Sequence, residues 1–196
     1  MKKRRIVVIA GSKNDIIKHN RAGMDYLREK VKQGLIEVIG VHVRSIHRHP
    51  KKTRKLVKKY SDMHNIDVMI VEAGKAAHLP GCIDSYLRNE LHDDRIVVIG
   101  VGLPGKNIMD LLAAELSITE VPSTQVIYAG KKFLDGCIIA CEKPLPEIKL
   151  GVIPPIEDFT LDGAYAITVE EEPAVPQSKE ATWGRESFLD QVTRTK

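Results

Sequence analysis

The segment Arg44–Lys52, "RSIHRHPKK", brings two histidines and two arginines within six residues, beside a serine and a proline, directly after an apolar run. An imidazole titrates near neutral pH without help, so His47 is suited to moving a proton. Ser45 and Arg48 are suited to a phosphate, Arg48 through paired N–H donors. Pro50 fixes the backbone for the first turn of a following helix. Taken alone, the segment is equally an ordinary basic loop. Its chemistry depends on what else reaches the same place.

Two other stretches hold groups of the same kind. In "GSKND", Gly11–Asp15, the side chains of Ser12, Asn14 and Asp15 can cap a helix, and an anion would find backbone N–H groups there. In "EAGKAAHLPG", Glu72–Gly81, Gly74 and Ala76 let a ligand approach the backbone closely, while Lys75 adds a cation and His78 a second imidazole. A fourth stretch, "GVGLPG" over Gly100–Gly105, formally matches the dinucleotide fingerprint. Pro104 lies inside it, it does not follow a first strand, and no second strand ending in an acid follows at the usual distance. These departures argue against a nucleotide cofactor.

The elements that must position these groups are legible as well. Five short runs rich in β-branched residues read as strands: Arg5–Ala10, a run within Gly34–Val43, Ile66–Ala73, Asp94–Gly102 and Thr124–Gly130. Each is almost continuously apolar, the pattern of a strand covered on both faces. Helix-length stretches alternate with them: Ile16–Lys32, Lys51–His64, Cys82–Leu91 and Ile108–Leu116. The alternation predicts a doubly wound, three-layer α/β sandwich on a central parallel sheet. Ligands of such sheets bind beyond the carboxyl ends of the strands. The three chemical stretches each follow a predicted strand. "CIIAC", Cys137–Cys141, reads as one more apolar, strand-like run in the core.

Composition bounds the rest. The chain has 196 residues, 43% hydrophobic and 29% charged, as expected of a soluble globular protein. Its basic start is followed by an apolar run too short for a secretory leader. No run reaches the roughly 20 residues that cross a bilayer. Three cysteines do not make a disulfide framework. We therefore expect a cytoplasmic protein without a membrane partner. Residues 1–150 carry a net charge of +9 and residues 151–196 a net of −5, which points to an anionic ligand for the body. The expected organisation is a 1–150 α/β domain and a 151–196 acidic C-terminal extension. That extension is either an arm packed on a neighbouring subunit through Trp183 and Phe188 or partly disordered.

In order, "GSKND", "SIHRHP" and "AGKAAHLPG" resemble the PurE family of purine synthesis, whose patterns run close to G-S-x-S-D, S-A-H-R-T-P and A-G-A-G-G-A-A-H-L-P-G. "IVVIGVGLPG" and "LSITEVPSTQVIYA" resemble the later part of the family more loosely, so the likeness covers about residues 5–130. It implies a flavodoxin-like fold and a homo-octamer with sites between neighbouring chains. Two activities occur in the family: N5-carboxyaminoimidazole ribonucleotide mutase (class I) and aminoimidazole ribonucleotide carboxylase (class II). The class I reaction is implied to use no metal and no organic cofactor. The substrates implied are a ribonucleotide monophosphate and CO2, released and recaptured in a closed pocket. By residue-to-residue likeness, His47 would be catalytic. Ser12, Asn14, Asp15, Ser45 and Arg48 would contact phosphate and ribose, and Gly74, Lys75, Ala76 and His78 would line the CO2 region. The His-Arg pair resembles class I, since class II resembles a His-Lys version.

The chain also departs from those patterns. Asn14 stands in place of serine, His49 of threonine, Glu72 of a small residue and Lys75 of glycine. Lys75 either pairs with a substrate carboxylate or fills the pocket. A second reading is a PurE-fold paralogue acting on another ribonucleotide. A third is a nucleic-acid-binding module, because seven of the twelve residues Arg48–Lys59 are basic. The low aromatic content, 5%, and the absence of a recognition motif count against nucleic acid.

Overall fold

The computed structural model describes residues 3–121 and 124–148. The acidic extension expected over 151–196 lies outside them. The described elements are β1 (Arg4–Ala10), α1 (Lys13–His19), α2 (Arg21–Lys32), β2 (Ile36–Val43), α3 (Pro50–Asp62), β3 (Val68–Gly74), α4 (His78–Ser85), β4 (Val97–Leu103), α5 (Ile108–Thr119), β5 (Ile127–Tyr128), α6 (Phe133–Glu142) and α7 (Leu145–Ile148). A π-helical turn over Tyr86–Glu90 prolongs α4.

Main-chain pairing joins the strands in the order β2-β1-β3-β4-β5, every pair parallel. This is the flavodoxin-like winding, with its reversal between β1 and β3. The continuous apolar runs have the expected cause. Val7, Ile9, Met69, Val71 and Val98 pack under α3, α4 and α5 through Leu56, Val57, Tyr60, Leu79, Ile83, Ala114 and Ile118. The alternate residues Ile6, Val8, Ile70, Ile99 and Val101 pack under α2 and α6 through Leu27, Phe133, Cys137 and Ala140. Helices on both faces leave no water-exposed side on which polar residues would alternate.

Four local expectations need correction. The stretch Ile16–Lys32 is two helices rather than one, broken at Asn20, whose side chain turns into the core to donate to Glu72 at 2.6 Å. Helix α4 begins at His78, earlier than the expected Cys82. Pro80 falls in its first turn, where a missing N–H leaves no helical bond unmade. The fifth strand pairs only over Ile127–Tyr128, at the sheet edge. Cys137–Cys141 belongs to helix α6 and not to a strand. The buried positions Phe133, Gly136, Cys137 and Ala140 recur at helical spacing and face the sheet. Cys137 is buried and Cys141 partly so, whereas Cys82 on α4 is exposed; all three thiols are free.

A buried polar network fixes α4 and the turn after it. Asp84 accepts from the Gln125 N–H at 2.6 Å and pairs with Arg88 at 3.3 Å. Arg88 also donates to the carbonyls of Ile96, at 2.6 Å, and Asp93. Both terminal nitrogens of the guanidinium thus find partners inside the fold, as a buried cation requires, while its Nε has none among the described residues.

The glycines of "GVGLPG" also find their explanation in packing. Gly100 and Gly102 lie within β4 rather than in a phosphate-facing turn. A Cβ at Gly100 would stand 2.7 Å from Val126 Cγ1, 2.9 Å from Ile118 Cγ2 and 3.2 Å from Pro80 Cβ. Gly100→Ala is therefore expected to destabilise the fold by about 1–3 kcal/mol through overpacking, measured by urea unfolding. An unchanged midpoint would show that the helices on this face yield without cost.

Candidate active site

Parallel strands deliver their loops to one edge, and main-chain bonds hold three of those loops together. The Gly11 N–H donates to the Glu72 carbonyl at 2.8 Å, and the Arg44 N–H to the Ala10 carbonyl at 2.8 Å. The loops after β1, β2, β3 and β4 thereby surround one cavity of about 460 Å³, beyond the carboxyl ends of the strands. A cavity of this size suits a small ligand.

Each loop contributes differently. Ser12 caps α1, its Oγ accepting from the Asp15 N–H at 3.2 Å. Gly11, Ser12, Asn14 and Asp15 form one wall. From the second loop come Ser45, Ile46 and His47. Ser45 Oγ accepts from the Arg48 N–H at 3.4 Å, and its carbonyl accepts from the His49 N–H at 2.9 Å. Pro50 then opens α3, as expected. The third loop supplies Gly74, Lys75, Ala76 and His78. Lys75 occupies the left-handed backbone region, φ 56°, which costs a residue with a Cβ roughly 1–2 kcal/mol.

Nine of the ten residues expected at the site therefore meet at one cavity: Ser12, Asn14, Asp15, Ser45, His47, Gly74, Lys75, Ala76 and His78. Arg48 does not line it; its side chain is exposed. Four further ionisable residues do line it: Lys18, His19, Lys106 and Asp110. Lys18 and His19 follow Asn14 and Asp15 by four positions, so helical spacing alone predicts that they share a face. The Lys106 N–H donates to Asp110 Oδ2 at 2.8 Å, while the Asp110 N–H donates to Asn107 Oδ1 at 2.9 Å. This pins the loop after β4 to the first turn of α5.

The closest side-chain approach between the loops is that of the two imidazoles. His47 Nε2 and His78 Nδ1 lie 2.9 Å apart, with the rings edge-on at 79°. A hydrogen bond between ring nitrogens needs one N–H and one lone pair. The facing nitrogens thus share a single proton, and the pair can carry one positive charge while the bond lasts. The outer nitrogens, His47 Nδ1 and His78 Nε2, remain for other partners. With Lys18, Lys75 and Lys106 around them, the cavity favours an anion.

The model of the family described as AIR carboxylase matches residues 5–129. An N5-carboxyaminoimidazole ribonucleotide mutase of Saccharolobus solfataricus is 34% identical over 122 residues, spanning 60% of this chain and 65% of that protein. Among solved structures, Treponema denticola PurE has a TM-score of 0.53 at 16% identity, covering 70% of this chain and 78% of its own. A second Treponema denticola structure, of PurE2, has a TM-score of 0.55 at 16% identity, covering 71% and 78%. At that identity the two structures speak for the fold alone. The strand order, the three loops gathered at one edge and the match over residues 5–129 agree, and the chain belongs to the AIR carboxylase family.

Proposed function

We propose that this protein transfers a carboxylate on an aminoimidazole ribonucleotide, acting as an N5-carboxyaminoimidazole ribonucleotide mutase. The observation that carries this reading is the meeting of His47 and His78, 2.9 Å apart, over a cavity ringed by cations, hydroxyls and small residues. Ser12 and Ser45 offer hydroxyls to the phosphate, and Asp15 offers a carboxylate to the ribose. Lys18 and Lys106 add charge around them. Arg48, exposed next to His47 in the chain, strengthens the attraction of the anion to the entrance.

The reaction needs one proton moved between two atoms of the substrate. His47, charged, gives a proton to N5 as the N5–carboxylate bond breaks and CO2 leaves. C4 then attacks CO2, the new carbon–carbon bond forms, and His47 takes the proton that C4 gives up. Protons and charge balance over the cycle, and His47 ends as it began. His78 supports both half-steps. Its Nδ1 accepts from His47 Nε2–H in both states, which stabilises the His47 imidazolium and leaves Nδ1 of the neutral His47 imidazole free to take the proton. Gly74 and Ala76 leave room for CO2 between the steps, and Lys75 offers a cation to the migrating carboxylate.

His47 and His78 are exposed in the single chain. Retaining CO2 requires a site closed to water. We assign that closure to a neighbouring subunit of the homo-octamer that the family resemblance implies. Use of free CO2 by the same residues is the alternative carboxylase reading. Purified protein offered N5-carboxyaminoimidazole ribonucleotide, and separately aminoimidazole ribonucleotide with bicarbonate, distinguishes the two by product absorbance. Turnover of neither would overturn both.

Two substitutions test the roles. His47→Asn should lower kcat by about 10²-fold or more, the scale of general acid–base catalysis, with ribose 5-phosphate binding kept. Undiminished turnover would remove His47 from the mechanism. Lys75→Gly should raise stability by about 1 kcal/mol in urea unfolding by relieving the left-handed backbone. It should also raise KM for the carboxylated substrate about tenfold, the worth of one charge-assisted hydrogen bond. An unchanged KM would place the Lys75 ammonium away from the carboxylate.

A further inference from the structure

The side chain of Glu72 is fully buried, and the residue stands where the family pattern has a small one. On the same sheet face, its register neighbours are Ala10 and Val101, both apolar. Among the described residues the one polar partner of its side chain is Asn20, itself 1% exposed, whose Nδ2 donates to Glu72 Oε1 at 2.6 Å. Two buried oxygens of this pair have no hydrogen-bond partner among the described residues: Glu72 Oε2 and Asn20 Oδ1. Both are acceptors if Glu72 is ionised, and no donor serves either. Such an arrangement pays for an ionised carboxylate and two orphaned acceptors at once. One proton on Oε2 removes the whole conflict, because it supplies the donor that Asn20 Oδ1 lacks and discharges the carboxyl.

We propose that Glu72 is a neutral carboxylic acid whose Oε2–H donates to Asn20 Oδ1, and that this closed acid–amide pair is a positioning device holding α1 against β3. Asn20 is the joint between α1 and α2: its N–H donates to the Ile16 carbonyl and its own carbonyl accepts from the Met24 N–H. Helix α1 carries Asn14, Asp15, Lys18 and His19 of the cavity wall. The main-chain carbonyl of Glu72 meanwhile accepts from Gly11, so one residue ties down both the start and the end of that segment.

The titratable groups acting on Glu72 all favour the proton. Burial, reinforced by the Asp15 carboxylate on α1, pushes its carboxyl from 4.5 up to about 8, against the opposing hydrogen bond from Asn20. Cys137 on α6, the other ionisable neighbour, has its own pKa pushed up by burial and stays a neutral thiol. Among the described residues no lysine or arginine pairs with Glu72. The folded pKa lies above the unfolded one, so the stabilisation from the proton is complete below about 4.5 and is lost as pH rises through about 8.

The positioning role rests on the cavity being the ribonucleotide site, but its test does not require turnover. Glu72→Gln places a permanent N–H donor at the same position. Wild type should lose stability relative to Glu72→Gln steadily from about pH 4.5 up to the midpoint of its native-state titration near 8, and level off above it. Over the same range, amide exchange should show α1 losing protection in wild type while the variant keeps it. Ribose 5-phosphate affinity should fall about tenfold per pH unit above that midpoint in wild type and stay flat in the variant. Isotope-edited infrared spectra of wild type at neutral pH should show the carbonyl band of a protonated acid. Parallel stability and exchange profiles, a carboxylate-only spectrum, or a variant that fails to fold would each overturn the proposal. If ribose 5-phosphate does not bind wild type at any pH, the functional reading fails, and stability, exchange and infrared still decide the state of Glu72.

Discussion

Two main-chain hydrogen bonds carry more of this molecule's function than their number suggests. Gly11 to Glu72 and Arg44 to Ala10 lie at the last rungs of the parallel ladder, where three strands give way to loops. They extend sheet pairing one step past the strands, so the loops leave in a fixed relation to one another. The covered, β-branched strands beneath make that ladder rigid. The meeting of His47 and His78 across 31 positions of sequence follows from this edge rather than from any attraction between imidazoles.

The end of β3 and the loop after it then depart from the family in two opposite ways. Lys75 is an exposed cation on a strained backbone, and Glu72, three residues earlier, is a buried acid with no counter-ion among the described residues. Neither helps the fold by ordinary rules. Strain and buried polar groups persist where the surroundings over-determine them, and both flank the cavity on which the proposed chemistry depends. The same four-residue span thus loads charge on the ligand side and removes it on the core side.

Much of this was legible in the sequence, for reasons that particular residues make plain. Runs such as "RIVVIA" and "IVVIGVG", rich in β-branched residues and ended by glycine, read as strands covered on both faces, and their alternation with helices points to the winding. Carboxyl-end logic then selected the loops, which is why Ser12, Ser45, His47, Lys75 and His78 share one cavity. What escaped the reading depends on three-dimensional burial. Cys137–Cys141 is as apolar as a strand, and only its packing period on the sheet marks it as helix. The break at Asn20 depends on a partner 52 residues away. Lys106 lay one position past the stretch inspected. Glu72 was visible as a lone acid in a strand apolar on both faces, a pattern that already asks whether the acid is paired or protonated.

The placement of the three thiols has a practical bearing. Cys137 and Cys141 lie along α6 on one face of the sheet, and Cys82 lies on α4 across it. Burial raises the pKa of all three, so none is a strong nucleophile at neutral pH. Cys82 is the most open of them to solvent, Cys141 being half-buried, and it shares a helix with His78. A slow maleimide therefore labels Cys82 first and sets a spectroscopic reporter one turn from the imidazole pair, with no cysteine engineered in.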